Sequence, residues 1–258
     1  MTHRTLIAVP VYNRLKVSQL CLASLYQNRK GAVVHVYNDH STEYSSDALA
    51  GYCDEIFLLP PSKKVVVQME SNRDGMGVQN LRWYQFRDFL KRPEFDLLYL
   101  TDSDALHDPC FMEVFASLLS IMEKSGQVLP LCLYNSSFHN NNDNNAGRTK
   151  RLLLRKTAPG ISQLYTRSMV EKIVFELDKF GTDPDYNWDY HAPNALGLPI
   201  LTTDDSYIEH FGAVAGSMHT TAGDWDRDRA LNPTPYLRSR RQDIINFLMG
   251  VLPSPPSL

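Results

Sequence analysis

The sequence predicts an α/β fold, a mostly parallel sheet with flanking helices, and three observations carry that prediction. Short apolar runs alternate with amphipathic segments through the first hundred residues. The runs are rich in β-branched residues and stop at turn formers, as strands buried on both faces do. One of them, Leu97-Leu98-Tyr99-Leu100, leads into Asp102-Ser103-Asp104. Open α/β sheets bind ligands at the carboxyl ends of their strands, so the two acids stand where a ligand is expected.

Thr5-Leu6-Ile7-Ala8-Val9 reads as the first strand, stopped by Pro10. Leu15 to Tyr26 places Leu15, Val17, Leu20, Cys21, Leu25 and Tyr26 at helical spacing, a face that packs on a sheet. Val33 to Tyr37 is a second strand, ending in Asn38-Asp39-His40-Ser41. Ile56 to Leu59 and Val65 to Met69 are further strand candidates, and a helix from about Met76 to Leu90 precedes the strand that feeds Asp102. An extended Asp102-Ser103-Asp104 would turn both carboxylates to one side. Asp108-Pro109 opens the next helix, to about Lys124, and Val128 to Leu133 follows as a strand.

Asn135 to Gly147 is too polar to bury a core and reads as a mobile loop, a candidate lid. Arg151 to Leu154 resumes the apolar pattern, with helices at Arg167 to Asp178 and Trp188 to Leu196. A strand from Thr202 to Ile208 runs into His210. At the end, Arg238-Ser239-Arg240-Arg241 leads an apolar helix that either docks on the domain or touches an anionic membrane surface.

Composition narrows the function. The chain has 258 residues, 43% of them hydrophobic, and a net charge of −3, so no global positive field recruits nucleic acid. Four cysteines far apart in sequence show no metal spacing and read as reduced thiols. The start MTHRTLIAVP lacks the apolar stretch of a signal peptide, which sets a cytoplasmic expectation. Two hard oxygen ligands at a nucleotide cleft suit Mn²⁺ or Mg²⁺.

Four segments carry a resemblance. Val9-Pro10-Val11-Tyr12-Asn13-Arg14, Tyr37-Asn38-Asp39-His40-Ser41-Thr42, Ser71 to Asn80 and Thr101 to Asp104 occur in that order. Together they resemble the family 2-type nucleotide-sugar glycosyltransferases of GT-A fold, whose sheet is Rossmann-like with a smaller acceptor-side region. Asn38 stands for that family's first Asp at the second segment, and His40 for its Gly. The resemblance implies a metal-dependent, inverting transfer of a sugar from a nucleoside-diphosphate-sugar, a UDP-sugar first, to a glycan or other hydroxyl acceptor. It implies a donor-binding half at 1–105, an acceptor-binding and catalytic half at 106–220, and a tail at 221–258.

By the same resemblance, Pro10, Tyr12 and Asp39 hold the nucleoside, while Arg73, Gly75 and Asn80 line the donor. Asp104 is the metal ligand, Asp102 binds the ribose or a water on the metal, and His210 completes the shell or bonds phosphate. His219 is a weaker candidate. Asp189, in Asn187-Trp188-Asp189-Tyr190, is the general base, with Asp185 as its substitute. A sugar-1-phosphate nucleotidyltransferase shares this sheet but needs a Gly-rich basic loop, which Pro10-Val11-Tyr12-Asn13 does not provide. A non-catalytic nucleotide-sugar binding module would keep the same carboxylates without a base.

Overall fold

The computed structural model describes residues 3–57, 66–68, 77–178, 188–212 and 228–250, without the side chains of 55–57, 66–68, 77–79, 177 and 188–191. Strand β1 (Thr5–Val11) lies between β2 (Val33–Asn38) and β4 (Leu97–Thr101), parallel to both, and β3 (Val66–Gln68) extends β2 in parallel. Beyond β4 the sheet becomes mixed. It continues through β9 (Ser162–Thr166), β6 (Leu131–Cys132), β10 (Ile200–Thr203), β8 (Leu152–Arg155) and β7 (Asn145–Arg148), nine strands in all.

Period-2 alternation divides the core into two layers. Ile7, Val9 and Val11 of β1, with Leu97 and Tyr99 of β4, pack against α1 (Leu15–Asn28), α2 (Ser46–Phe57) and α4 (Phe111–Ser125). Leu6 and Ala8, with Leu98 and Leu100, face α3 (Gly77–Leu90), α5 (Arg167–Asp178) and α6 (Trp188–Leu196). Both faces are therefore covered, and this is why these strands read as continuous apolar runs. A second, two-stranded sheet joins β5 (Ala105–His107) to β11 (Ile208–His210) in antiparallel register, with His210 opposite Ala105.

Helix α7 (Pro235–Leu248) buries Leu237, Ile244 and Phe247 against Leu20, Leu106 and Phe211. Thr234 caps it, accepting the Leu237 N–H at 3.4 Å, and its hydroxyl donates to Asp108 Oδ2 at 2.5 Å. The apolar face that the sequence offered to a membrane is thus spent inside the fold. No helix among the described residues is long and apolar enough to cross a membrane.

Several expectations need correction. β1 continues through Pro10 to Val11, because β4 pairs only as far as Ala8 and beyond it β1 bonds to β2 alone, so the missing proline N–H costs the ladder little. Ile56 and Phe57 end α2 instead of forming a strand. The region from Thr202 to His210 splits into β10 and β11, since Asn135 Nδ2 donates to the Asp204 carbonyl at 2.8 Å and the Ser206 N–H bonds Asn232 at 3.0 Å where the chain crosses between sheets.

The Asn-rich segment is anchored by amides rather than apolar groups. Buried Asn144 donates to the His139 carbonyl (2.8 Å) and the Thr157 carbonyl (3.0 Å), and accepts the Thr157 N–H at 2.8 Å. Asn140 accepts from Arg155 at 2.7 Å, and the run ends as edge strand β7.

Candidate functional site

The carboxyl ends of β1, β2 and β4 converge, and the loops that leave them build the site. After β1, Asn13 and Arg14 adopt left-handed backbone, φ 49° and 53°. Such conformations cost of order 1–3 kcal/mol each in non-glycine residues and persist only where surroundings impose them. Here the loop after β2 imposes them. The Asn13 N–H donates to Ser41 Oγ at 2.9 Å, Asn13 Oδ1 accepts the Thr42 N–H at 2.7 Å, and the Arg14 N–H donates to Glu43 Oε2 at 2.7 Å. Tyr44 closes the set, its hydroxyl donating to the Asn13 carbonyl at 3.2 Å. The consequence is directional: the bend turns the Arg14 side chain back across the strand ends, where its Nη2 lies 2.7 Å from Asp104 Oδ2.

The Asp-Ser-Asp tripeptide is a turn, not an extension of β4: the Ala105 N–H reaches back to the Asp102 carbonyl at 3.4 Å. The expectation of two carboxylates on one side is corrected accordingly. Asp102 pairs with Arg82 of α3, from the second helix layer, while Asp104 meets Arg14 from the first. Arg82 is fully buried and also donates to the Thr101 carbonyl (2.9 Å) and Gln85 Oε1 (2.8 Å). Burial pushes the Asp102 carboxyl up, against the opposing pull of Arg82.

Asp104 has a second partner. β11 returns beside β5, the Phe211 N–H bonds the Asp104 carbonyl at 2.9 Å, and His210 Nε2 stands 3.4 Å from Asp104 Oδ2. Burial alone would raise the Asp104 carboxyl, but His210 and Arg14 outweigh it and hold it well below the usual range. Burial likewise opposes the His210 charge, and Asp104 overcomes it, raising His210 to about 9. Gly212 matters here. A Cβ on it would sit 2.6 Å from His210 Nε2 and 3.1 Å from Asp104 Oδ2, so only glycine lets the imidazole and the carboxylate oxygen stand where they do.

The remaining sequence candidates distribute around this centre. Pro10 stands opposite Tyr37, one pair before the β1–β2 ladder ends, and Tyr12 lies just beyond it, half-buried. Buried Asp39 ties the two strand ends together, its N–H donating to the Val11 carbonyl at 2.9 Å. Asn80 is half-buried in the first turn of α3. Arg73, Gly75, Asp185 and His219 lie outside the described residues. Asp189 is the second residue of α6, and its side chain is outside them too.

Sequence reasoning missed Arg14 and Arg82 as partners of the acids. Arg82 carried a readable signal, since it shares a helical stripe with Phe86 and Phe89 and a charge there must find a buried partner.

Asp104 and His210 meet beside Gly212, with Asp102 two residues away in the same turn, and carboxylate and imidazole donors of this kind suit Mn²⁺ or Mg²⁺ when phosphate oxygens of a ligand complete the set. No cluster of three or more acidic, His or Cys side chains is assembled for a metal among the described residues, because Arg14 occupies one face of Asp104. The groove at the amino ends of the strands, beside Arg4, Lys30, Leu97 and Phe115, is rimmed only by exposed pairs such as Lys30–Glu113 at 2.9 Å. Pairs of that kind contribute little.

No protein-family model and no curated protein matches the chain. Solved structures do. The mannosyltransferase PcManGT from Pyrobaculum calidifontis, in complex with GDP-Man and Mn²⁺, superposes with a TM-score of 0.55 at 16% identity, over 78% of this chain and 55% of that one. S. aureus TarS, residues 1–349, gives a TM-score of 0.52 at 16% identity over 80% and 59%. The chain thus spans less than two thirds of either neighbour. The fold is GT-A: a large α/β sheet, parallel through β3, β2, β1 and β4, covered by helices on both faces.

Proposed function

We propose that this protein is a glycosyltransferase that takes a sugar from a nucleoside-diphosphate-sugar and delivers it to an acceptor hydroxyl. The observation that carries the reading is the meeting of Asp104 and His210, with Asp102 in the same turn, beyond the carboxyl end of β4 in a GT-A fold. In this reading Tyr12 stacks on the base, Asp39 accepts from base or ribose, and Pro10 shapes the turn between them. Arg73, Gly75 and Asn80 line the diphosphate and sugar. A UDP-sugar is the first donor to test and a GDP-sugar the second, since GDP-Man is the ligand of PcManGT.

Asp104 and His210 would hold Mn²⁺ or Mg²⁺, with Asp102 beside them. The ion, when bound, supplies positive charge to the departing nucleoside diphosphate. The residues of 1–105 bind the donor, and those of 106–220 bind the acceptor and supply the base. Asp189, at the start of α6, takes the acceptor proton as the hydroxyl attacks the anomeric carbon from the face opposite the leaving group, which makes the transfer inverting. Asp185 is its substitute. A membrane contact through α7 is left out, because Leu237, Ile244 and Phe247 are buried.

The test is nucleoside diphosphate release from a panel of donors with Mn²⁺ and glycan acceptors. Asp189→Asn is expected to lower kcat by ~10²–10⁴ with donor affinity nearly unchanged. If Asp185→Asn does the damage instead, the base is Asp185. No turnover with any donor, together with no nucleotide binding, would overturn the reading.

A further inference from the structure

Two arginines neutralise the acid turn, and they are built for different tasks. Arg82 is fully buried, projects from the interior of a helix and satisfies three acceptors at once. Arg14 instead comes from the loop that follows Tyr12, on strained backbone held by Ser41, Thr42 and Glu43, and retains 12% side-chain exposure. Its guanidinium lies on the same Asp104 oxygen that His210 approaches, beside Gly212. A cation binding Asp104 there must share or displace Arg14. A guanidinium so placed is within the same mouth as a donor diphosphate, and its planar fork suits phosphate as well as carboxylate.

We propose that Arg14 is an exchangeable counter-ion: without donor it neutralises Asp104 and holds divalent cations off, and with donor it moves to the diphosphate and releases Asp104 to the cation. The proposal rests on the donor-site reading above and adds an order to it. Cation and nucleoside diphosphate bind cooperatively, and each raises the affinity of the other by the same factor, as linkage requires. Arg14 is a positioning residue in this scheme, acting through Asp104.

The experiment is titration of free Mn²⁺, read by its solution electron paramagnetic resonance signal, with and without UDP or GDP. In the parent protein Mn²⁺ affinity is expected to be weak alone and to rise on adding nucleotide. Arg14→Gln should bind Mn²⁺ about tenfold more tightly than the parent without nucleotide, and the gain on adding nucleotide should shrink. Arg14→Lys, which keeps the charge, should stay near the parent. A purely structural role would not tighten Mn²⁺ binding. If Arg14→Gln fails to fold, Arg14→Met keeps the alkyl stem, drops the charge and is expected to give the same gain.

Unchanged or weaker nucleotide-free Mn²⁺ affinity in the folded charge-less variant overturns the proposal, even if the parent binds Mn²⁺ and nucleotide together and the donor-site reading stands. Absence of Mn²⁺ binding in parent and variant, with and without nucleotide, overturns both.

Discussion

Asp102 and Asp104 stand two residues apart in one turn, each against an arginine, yet the two pairs differ in depth, origin and partners. The Arg82–Asp102 pair belongs to the α3 side of the sheet, with a guanidinium that water does not reach, although the Asp102 side chain keeps 32% exposure. Arg14–Asp104 belongs to the α1 side, and its carboxylate is shared with a histidine. Removing Arg82 strands the Thr101 carbonyl and Gln85 Oε1 as well as the Asp102 charge. Arg14 reaches Asp104 from a loop and can trade partners, because a ligand supplies the charge that is lost. The comparison separates a scaffold from a switchable contact within a single turn.

The largest expected effect falls on the scaffold. Arg82→Ala should lose about 2–3 kcal/mol of unfolding free energy, measured by urea denaturation, because the Thr101 carbonyl and Gln85 Oε1 lose their buried donor and the partly exposed Asp102 its charge partner. Adding Asp102→Asn should recover part of that loss, and the same cycle at Arg14 and Asp104 should show a smaller coupling. Equal losses at Arg82 and Arg14 would erase the distinction.

Gly212→Ala comes next. Its Cβ would lie 2.6 Å from His210 Nε2, so the imidazole must leave Asp104. Mn²⁺-dependent nucleotide binding should weaken by about tenfold or more, with stability reduced less than in Arg82→Ala.

The pairs also differ in their response to pH. Arg82 stays charged at any working pH, whereas His210 titrates. With His210 raised from 6.5 to about 9, its contribution is complete below pH 6.5 and is lost as pH rises through 9. Asp104, held low, contributes fully above its ordinary value near 3.8 and loses that contribution only on strong acidification. In cation-free protein the melting temperature should therefore decline between pH 6.5 and 9, and His210→Gln should flatten that decline. Identical slopes in the two proteins would contradict the pairing.

The smallest effect concerns the segment farthest in character from the acid turn. Asn144→Ala removes an amide that satisfies two carbonyls and an N–H, and should cost ~1–3 kcal/mol by denaturation while sparing nucleotide affinity.

Much of the fold was legible because two-sided burial leaves a plain mark on a strand and amphipathic packing a plain mark on a helix. Arg167–Asp178 and Trp188–Leu196 form helices over the spans their periodicity indicates. Ile56 was read as strand because a short apolar run is ambiguous on its own, although Leu49, Cys53 and Ile56 already keep helical spacing. Asp104 was singled out by its place after an apolar strand and His210 through resemblance, and their meeting across more than a hundred residues depends on the β5–β11 pairing, which no local pattern encodes. Arg14 was invisible as a partner because its direction comes from a left-handed bend imposed by the loop after β2. The Asn-rich run misled for the opposite reason. Composition denies it an apolar anchor, but Asn144 builds a polar one.

The central claim is that Asp104 carries the cation side of a nucleoside diphosphate site. The direct measurement is thermal denaturation of the parent and of Asp104→Asn with UDP or GDP at saturating concentration, each with and without Mn²⁺. A ligand at about 100 times its Kd adds roughly 2.7 kcal/mol to the folded state, enough to move the transition clearly. The account predicts that Mn²⁺ adds to nucleotide stabilisation of the parent and adds nothing in Asp104→Asn. An equal Mn²⁺-dependent shift in both proteins would contradict it.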